Sequence, residues 1–292
     1  MDIFLQSLIN SIALGAIYAI LALSFTILFG TLRIAHFAQG DIYMIGMLLG
    51  YTFYVTSTLP LAVSIILSVI ITSAILLIIQ RTIYRQILKA SPMYLFIATI
   101  GMATFLRNAA QVLFGAEGYS FPHLLGSMPW QITPTLSIMP QSVIIIAVSI
   151  VLSVALMLFM RLTKPGLAMS AISMNQFAAS VMGVNFTRIT TLTYVISASM
   201  AAIAGIITAP LNNVNVQAGV GVGGRALVAA ILGGFGNAPG AIIGGVLLGI
   251  IETFGSYYIS SAYKDAFAFI VLIVLLFVRP QGILGRKRIT KV

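Results

Sequence analysis

Apolar side chains run along this chain in long blocks, broken by short stretches rich in glycine, proline or polar residues. No charged side chain stands between Asp2 and Arg33, nor between Asp41 and Arg81. A helix crosses a bilayer core with about 20 apolar residues, so the first block predicts one span. The second block, residues 42–80, would run to about 59 Å as one helix, roughly twice a membrane. The break Ser57-Thr58-Leu59-Pro60 divides it in two. Continued along the chain, the pattern predicts spans at 5–30, 41–57, 60–80, 93–113, 141–160, 189–209, 224–236, 239–258 and 265–279. The expected fold is one all-α polytopic membrane domain, 1–292, with about nine transmembrane crossings, because lipid leaves an open chain only helices to satisfy its backbone. Segment 224–236 would rise only about 20 Å and is expected to be a short discontinuous helix. As a re-entrant loop it would lower the count to about eight and move one terminus. Residues 114–140 carry Pro122, Pro129, Pro134, Pro140 and the sole tryptophan, Trp130, and read as an external loop at the interface.

Composition sharpens this picture. Only 7% of the 292 residues are charged and 60% are hydrophobic, with mean hydropathy +1.11. So few charges could not cover a soluble domain of this length. The net charge of +10 is concentrated at Arg81/Arg85/Lys89, Arg161/Lys164 and Arg279/Arg286/Lys287/Arg288/Lys291, each at the end of an apolar run. That distribution argues against nucleic acid and for cytoplasmic placement of 81–92, 161–188 and 280–292. The N-terminus is then outside and the C-terminus inside, which needs an odd number of crossings, and the basic tail can touch anionic lipid. With Asp2 in place of a basic leader and a first run this long, residues 1–32 are expected to be a retained span. There is no cysteine, and His36 and His123 are too far apart in sequence to suggest a metal site. No P-loop, nucleophile elbow or paired-carboxylate pattern is present, so no catalytic residue or cofactor is expected. Gly219-Val-Gly221-Val-Gly223-Gly224 follows a span, not a strand, and reads as loosening the turn into the short helix rather than as a nucleotide site.

Three local patterns carry chemistry. Small residues recur at Ser197/Ala201/Gly205/Ala209 and at Gly236/Gly240/Gly244 with Gly245 and Gly249, spacing that lets helices approach closely in lipid. Arg225 and Glu252 lie equidistant from Ala238-Pro239, so a hairpin turning there would hold them at one depth as a salt bridge, or as a gate. The stretch around Arg33, His36, Gln39 and Asp41 either lines a cavity at a broken helix or is a cytoplasmic turn with Asp41 as helix cap. Residues 164–188 are too long for a plain turn. They carry apolar residues at helical spacing ending at Gly183 and have no charge between Lys164 and Arg188, which favours docking to a partner over adsorption to lipid.

These features together resemble the branched-chain amino acid ABC permease family, its shorter, H-type inner-membrane subunit. The resemblance rests on Tyr18-Ala19 with Ala22-Leu23, on Phe37-Ala38-Gln39-Gly40-Asp41-Ile42-Tyr43-Met44-Ile45-Gly46, on the Gly166 to Gly183 loop, on Leu232-Gly233-Gly234-Phe235-Gly236-Asn237-Ala238-Pro239-Gly240-Ala241, and on the tail from Tyr263-Lys264-Asp265 through Arg279-Pro280-Gln281-Gly282-Ile283-Leu284-Gly285-Arg286. It implies a multi-pass bacterial inner-membrane protein. The implied partners are a second permease subunit as heterodimer partner, two cytoplasmic ATPase subunits that bind the ATP, and a periplasmic binding protein. It implies ATPase coupling through 166–185, with Gly166, Ala178, Ala179, Met182, Gly183 and Asn185, and a translocation path near His36, Phe37, Gln39, Asp41 and Tyr43. The chain departs from the family's common Asn-Phe-Ala-His-Gly at His36-Phe37-Ala38-Gln39-Gly40, and has Asn175-Gln176 where an acidic residue is common. The implied activity is import of branched-chain or related small amino acids. Alternatives are a permease for urea, short amides or another amino acid, an ion-coupled secondary transporter, and a passive channel.

Overall fold

The computed structural model describes residues 2–87, 92–126, 128–133 and 136–285. Its helices are α1 (Asp2–Leu32), α2 (Gln39–Tyr51), α3 (Leu61–Ile79), α4 (Arg85–Ile87), α5 (Pro92–Phe114), α6 (Pro140–Leu162), α7 (Lys164–Met174), α8 (Gln176–Val181), α9 (Phe186–Thr208), α10 (Ala218–Gly233), α11 (Ala238–Tyr258) and α12 (Lys264–Val278). A π-helical turn, Thr52–Thr56, prolongs α2, and another, Gln80–Tyr84, joins α3 to α4. Six of these segments are long and apolar enough to cross a membrane; α10 and α12 are shorter apolar helices. In the 114–140 loop, Trp130–Thr133 and Leu136–Ile138 pair as a small antiparallel hairpin.

α1 is the axis of the bundle. Of its most apolar window, 83% is buried, against 33% for α3 and α5 and 22% for α6, which therefore form the exposed rim. α1 meets α11 almost backbone to backbone. A Cβ at Gly245 would stand 2.5 Å from Ala19 N, and one at Gly249 2.5 Å from Gly15 Cα. α2 and α9 run side by side in the same way, since a Cβ at Gly205 would fall 2.3 Å from Tyr43 O. Both small-residue stripes are thus used inside this chain, where lipid supplies no hydrophobic drive and close packing supplies the contact energy.

Contacts between loops sort them onto two faces. On one face Tyr119 and Val214 exchange backbone hydrogen bonds, Ser137 N donates to Gln6 Oε1, and Tyr51 and Tyr54 at the end of α2 stack on Tyr119 and Phe121. On the other, Arg33 donates to Ser173 O, and Ile283 N and Leu284 N donate to Leu232 O and Gly233 O. Loops at the ends of successive helices thus fall on one face or the other.

Candidate functional site: an intramembrane ion network and an exposed apolar elbow

Two charged knots lie inside the bundle. Glu252, fully buried, accepts from Tyr18 Oη at 2.7 Å and from Arg225 Nη1 at 3.1 Å, and Lys264 Nζ stands 3.5 Å away. Arg225 Nη1 also donates to Tyr18 Oη at 3.0 Å, so α1, α10, α11 and α12 are tied at one point. Charges in lipid are costly unless paired and hydrogen-bonded, and this carboxylate meets three donors. The second knot joins α2 to α5: Arg107 donates to Asp41 through Nε at 3.1 Å and Nη2 at 3.3 Å, a two-pronged contact.

The α10–α11 hairpin differs from the expected one. α10 begins at Ala218, so the glycines 219–224 lie within it and Arg225 is two turns inside, not at the helix N-terminus. The turn is Gly234 to Asn237, with Gly234 at φ +108° and Gly236 at +92°, values that need glycine. Asn237 caps α11 by accepting from Gly240 N. Arg225 is therefore nearer the turn than Glu252. The two meet because side chains lean toward their own helix N-terminus, carrying Arg225 away from the turn and Glu252 toward it.

The candidate path residues are enclosed. Gln39 donates to Ser24 Oγ and Ser197 O, Tyr43 Oη bonds Thr208 Oγ1 at 2.6 Å, and Phe37 packs edge-on to Phe96. Asp41 does not cap α2; it is held by Arg107. His36 is buried with neither ring nitrogen bonded, in a triangle with Tyr84 and Tyr194 at centroid distances of 5.3, 5.7 and 5.9 Å. The hydroxyls of Tyr84, Tyr194 and Thr190 and Gln80 Oε1 are likewise buried without a protein partner.

Segment 164–188 forms an elbow of two short helices, not one. Thr163 caps α7 through Gly166 N, Asn175 caps α8 through Ala178 N, and Asn185 caps α9 through Arg188 N. Gly183, at φ +85°, ends the elbow in the left-handed region. Two expected contact residues face inward: a Cβ at Gly166 would strike Phe159 O, so it seats α7 on α6, and Ala179 is buried. The outer surface instead presents Met174, Phe177, Val181 and Met182, each 70–84% exposed, with Ala178 among them.

Sequence reasoning missed Tyr18, Lys264 and Arg107 as site residues. Arg107 carried a readable signal, being the lone charge in its span. Tyr18 and Lys264 did not, because only the packing of α1 and α12 brings them to Glu252. The Asp265 side chain lies outside the described residues.

The family described as branched-chain amino acid transport system, permease component, matches residues 7–276. The chain is similar to the high-affinity branched-chain amino acid transport system permease protein LivH of Escherichia coli strain K12, at 35% identity over 99% of this chain and 98% of that protein. BraD of Pseudomonas aeruginosa, named as the permease of the corresponding system, is 33% identical over the same shares. The solved structure of PsaBC from Streptococcus pneumoniae in complex with Fab shares the fold at TM-score 0.51 and 14% identity, covering 94% of this chain and 91% of that one. With the family match spanning the helical bundle and relatives aligned from end to end, the chain belongs to the branched-chain amino acid transport permease family, as a multi-pass inner-membrane permease.

Proposed function

We propose that this chain is the permease subunit of an ATP-driven importer that carries branched-chain or related small amino acids from periplasm to cytoplasm. The relatives LivH and BraD, named as branched-chain amino acid permeases, support the substrate class. The observation that carries the coupling is the elbow between α6 and α9. Four large apolar side chains there stand free on two short capped helices and the residue that ends the second, where a lipid-facing role would put them on a long span. A partner groove on separate ATPase subunits is their proposed seat, with Met174, Phe177, Val181 and Met182 as anchors. ATP closure of two such subunits would swing the elbows and tilt the permease pair between outward- and inward-facing forms, with a binding protein delivering substrate from outside.

The sorting of the loops onto two faces supports about nine crossings with the elbow and the 280–285 tail cytoplasmic, and α10 and α12 as short crossings of about 22–24 Å each. The path is proposed to run beside His36, whose ring nitrogens are unbonded and whose ring packs edge-on against Tyr84 and Tyr194. Proton or ion coupling is disfavoured because Asp41 and Glu252 are both already paired with cations. The experiment is Phe177→Glu in the reconstituted transporter. A buried, unpaired charge should release the ATPase subunits in a pull-down and abolish uptake while insertion persists. Unchanged association would overturn the coupling assignment.

A further inference from the structure

The cytoplasmic ends of α3–α4 and α9 flank an open cavity of about 310 Å³ lined by Gln80, Arg81, Arg85, Thr187, Arg188 and Thr191. Three guanidiniums from two elements far apart in sequence converge on it. None of them pairs with an Asp or Glu among the described residues. The chain has only five acidic residues. Asp41 is bound to Arg107 and Glu252 to Arg225, while Asp2, Glu117 and Asp265 belong to α1's first turn, the 114–126 segment and α12's first turn, all toward the opposite face. Cations lining one cavity with no carboxylate partner among the described residues call for an external anion.

The cavity suits a phosphate group. Arginine presents a planar fork of donors that matches phosphate oxygens, and the first turn of α9 adds its positive dipole end beside Thr187 and Arg188. Its depth suits a lipid headgroup. Thr31, one residue before α1 ends, bonds Thr193, and Arg188 lies five residues, about 7 Å, beyond that level. On the approach to Gln80, α3 turns Ile66, Ile70 and Ile78 outward, each 57–62% exposed, so that an apolar track runs up the helix toward the cavity. A free phosphate would have no use for that track; an acyl chain would.

We propose that Arg81, Arg85 and Arg188 form a phosphate-binding pocket that holds the headgroup of one anionic phospholipid. The proposal draws on the orientation above only to name the cytoplasmic leaflet. The test is made on the complete transporter, this chain with its partner subunits, in nanodiscs of mixed phosphatidylcholine and phosphatidylglycerol, with retained phospholipid counted by native mass spectrometry. The wild type should retain phosphatidylglycerol selectively. The triple variant Arg81→Gln/Arg85→Gln/Arg188→Gln should bind it on the order of a hundredfold more weakly, at about 1 kcal/mol per basic residue. The charge-keeping triple change to Lys should preserve most of the preference. If the neutral variant does not insert, wild-type retention against rising NaCl decides: loss with salt upholds the pocket and indifference to salt overturns it. Titration of inorganic phosphate into phosphatidylcholine-only discs separates the sources. Saturable phosphate binding there, without phosphatidylglycerol preference, would replace the lipid by the free ion and overturn the lipid assignment. Equal retention by wild type and neutral variant overturns the site. Loss of ATPase subunits from the neutral variant with unchanged lipid would also overturn it, making the patch a protein contact. An error in orientation would leave these lipid counts untouched and would show separately in sidedness labelling.

Discussion

Replacing Glu252 by Gln should destabilise the bundle far more than replacing Arg225 by Met, and the geometry says why. Glu252 is fully buried and accepts from Tyr18 and Arg225, with Lys264 at 3.5 Å. Removing its charge strips the anion from two cations at once, and Arg225, with only 17% of its side chain exposed, stays positive inside the bundle. Breaking a buried pair from one side costs about 3–5 kcal/mol. Arg225→Met removes one of three donors and leaves the carboxylate Tyr18 and Lys264, so a loss nearer the cost of one charged hydrogen bond, about 1.5–3 kcal/mol, is expected. The double variant should lose less than the sum, with a coupling of about 1–3 kcal/mol. Thermal unfolding of the purified transporter, followed by the loss of monodisperse protein after heating, reads these differences. A larger loss for Arg225→Met than for Glu252→Gln, or strictly additive losses, would refute the network as a joint support of α1, α10, α11 and α12.

Asp41→Asn and Arg107→Gln should each reduce folded yield, with the pair less damaging than the sum; independent effects in a double-mutant cycle would contradict the α2–α5 clasp. Gly245→Val should force α1 and α11 apart, since even a Cβ would stand 2.5 Å from Ala19 N, at a cost of about 1–3 kcal/mol or more; unchanged melting would contradict that packing. In this cysteine-free chain, a cysteine at 182 should react with impermeant thiol reagent only in inverted vesicles and one at 123 only in intact cells, and the reverse pattern would overturn the proposed orientation.

The helices were legible because lipid imposes the same demand on every span: long apolar runs with little interruption. Pro60, which opens α3 at the 57–60 break, and the capped stop at Gly183 were readable for the same local reason, a residue type matched to a backbone need. Helix ends within glycine runs were not. Gly219 to Gly224 reads as a loosened turn, yet Gly219 and Gly223 seat α10 against Gly40 of α2, and tertiary contact makes the segment helical. The Arg225–Glu252 contact had a signal because both are isolated charges flanking one hairpin, whereas the arginine cavity had none, since Arg188 reaches Arg81 only through the packing of α9 on α3. The outer surface of the elbow was likewise out of reach. Spacing marks an apolar face, but only the fold shows that Ala179 points in and Phe177 points out.

The most direct measurement is leucine uptake into proteoliposomes holding this chain with its permease, ATPase and binding-protein partners, with ATP supplied on the elbow side. The proposed function requires uptake that depends on ATP and on the ATPase subunits, with no response to an imposed proton or sodium gradient. Uptake driven by an ion gradient without the ATPase subunits would contradict it.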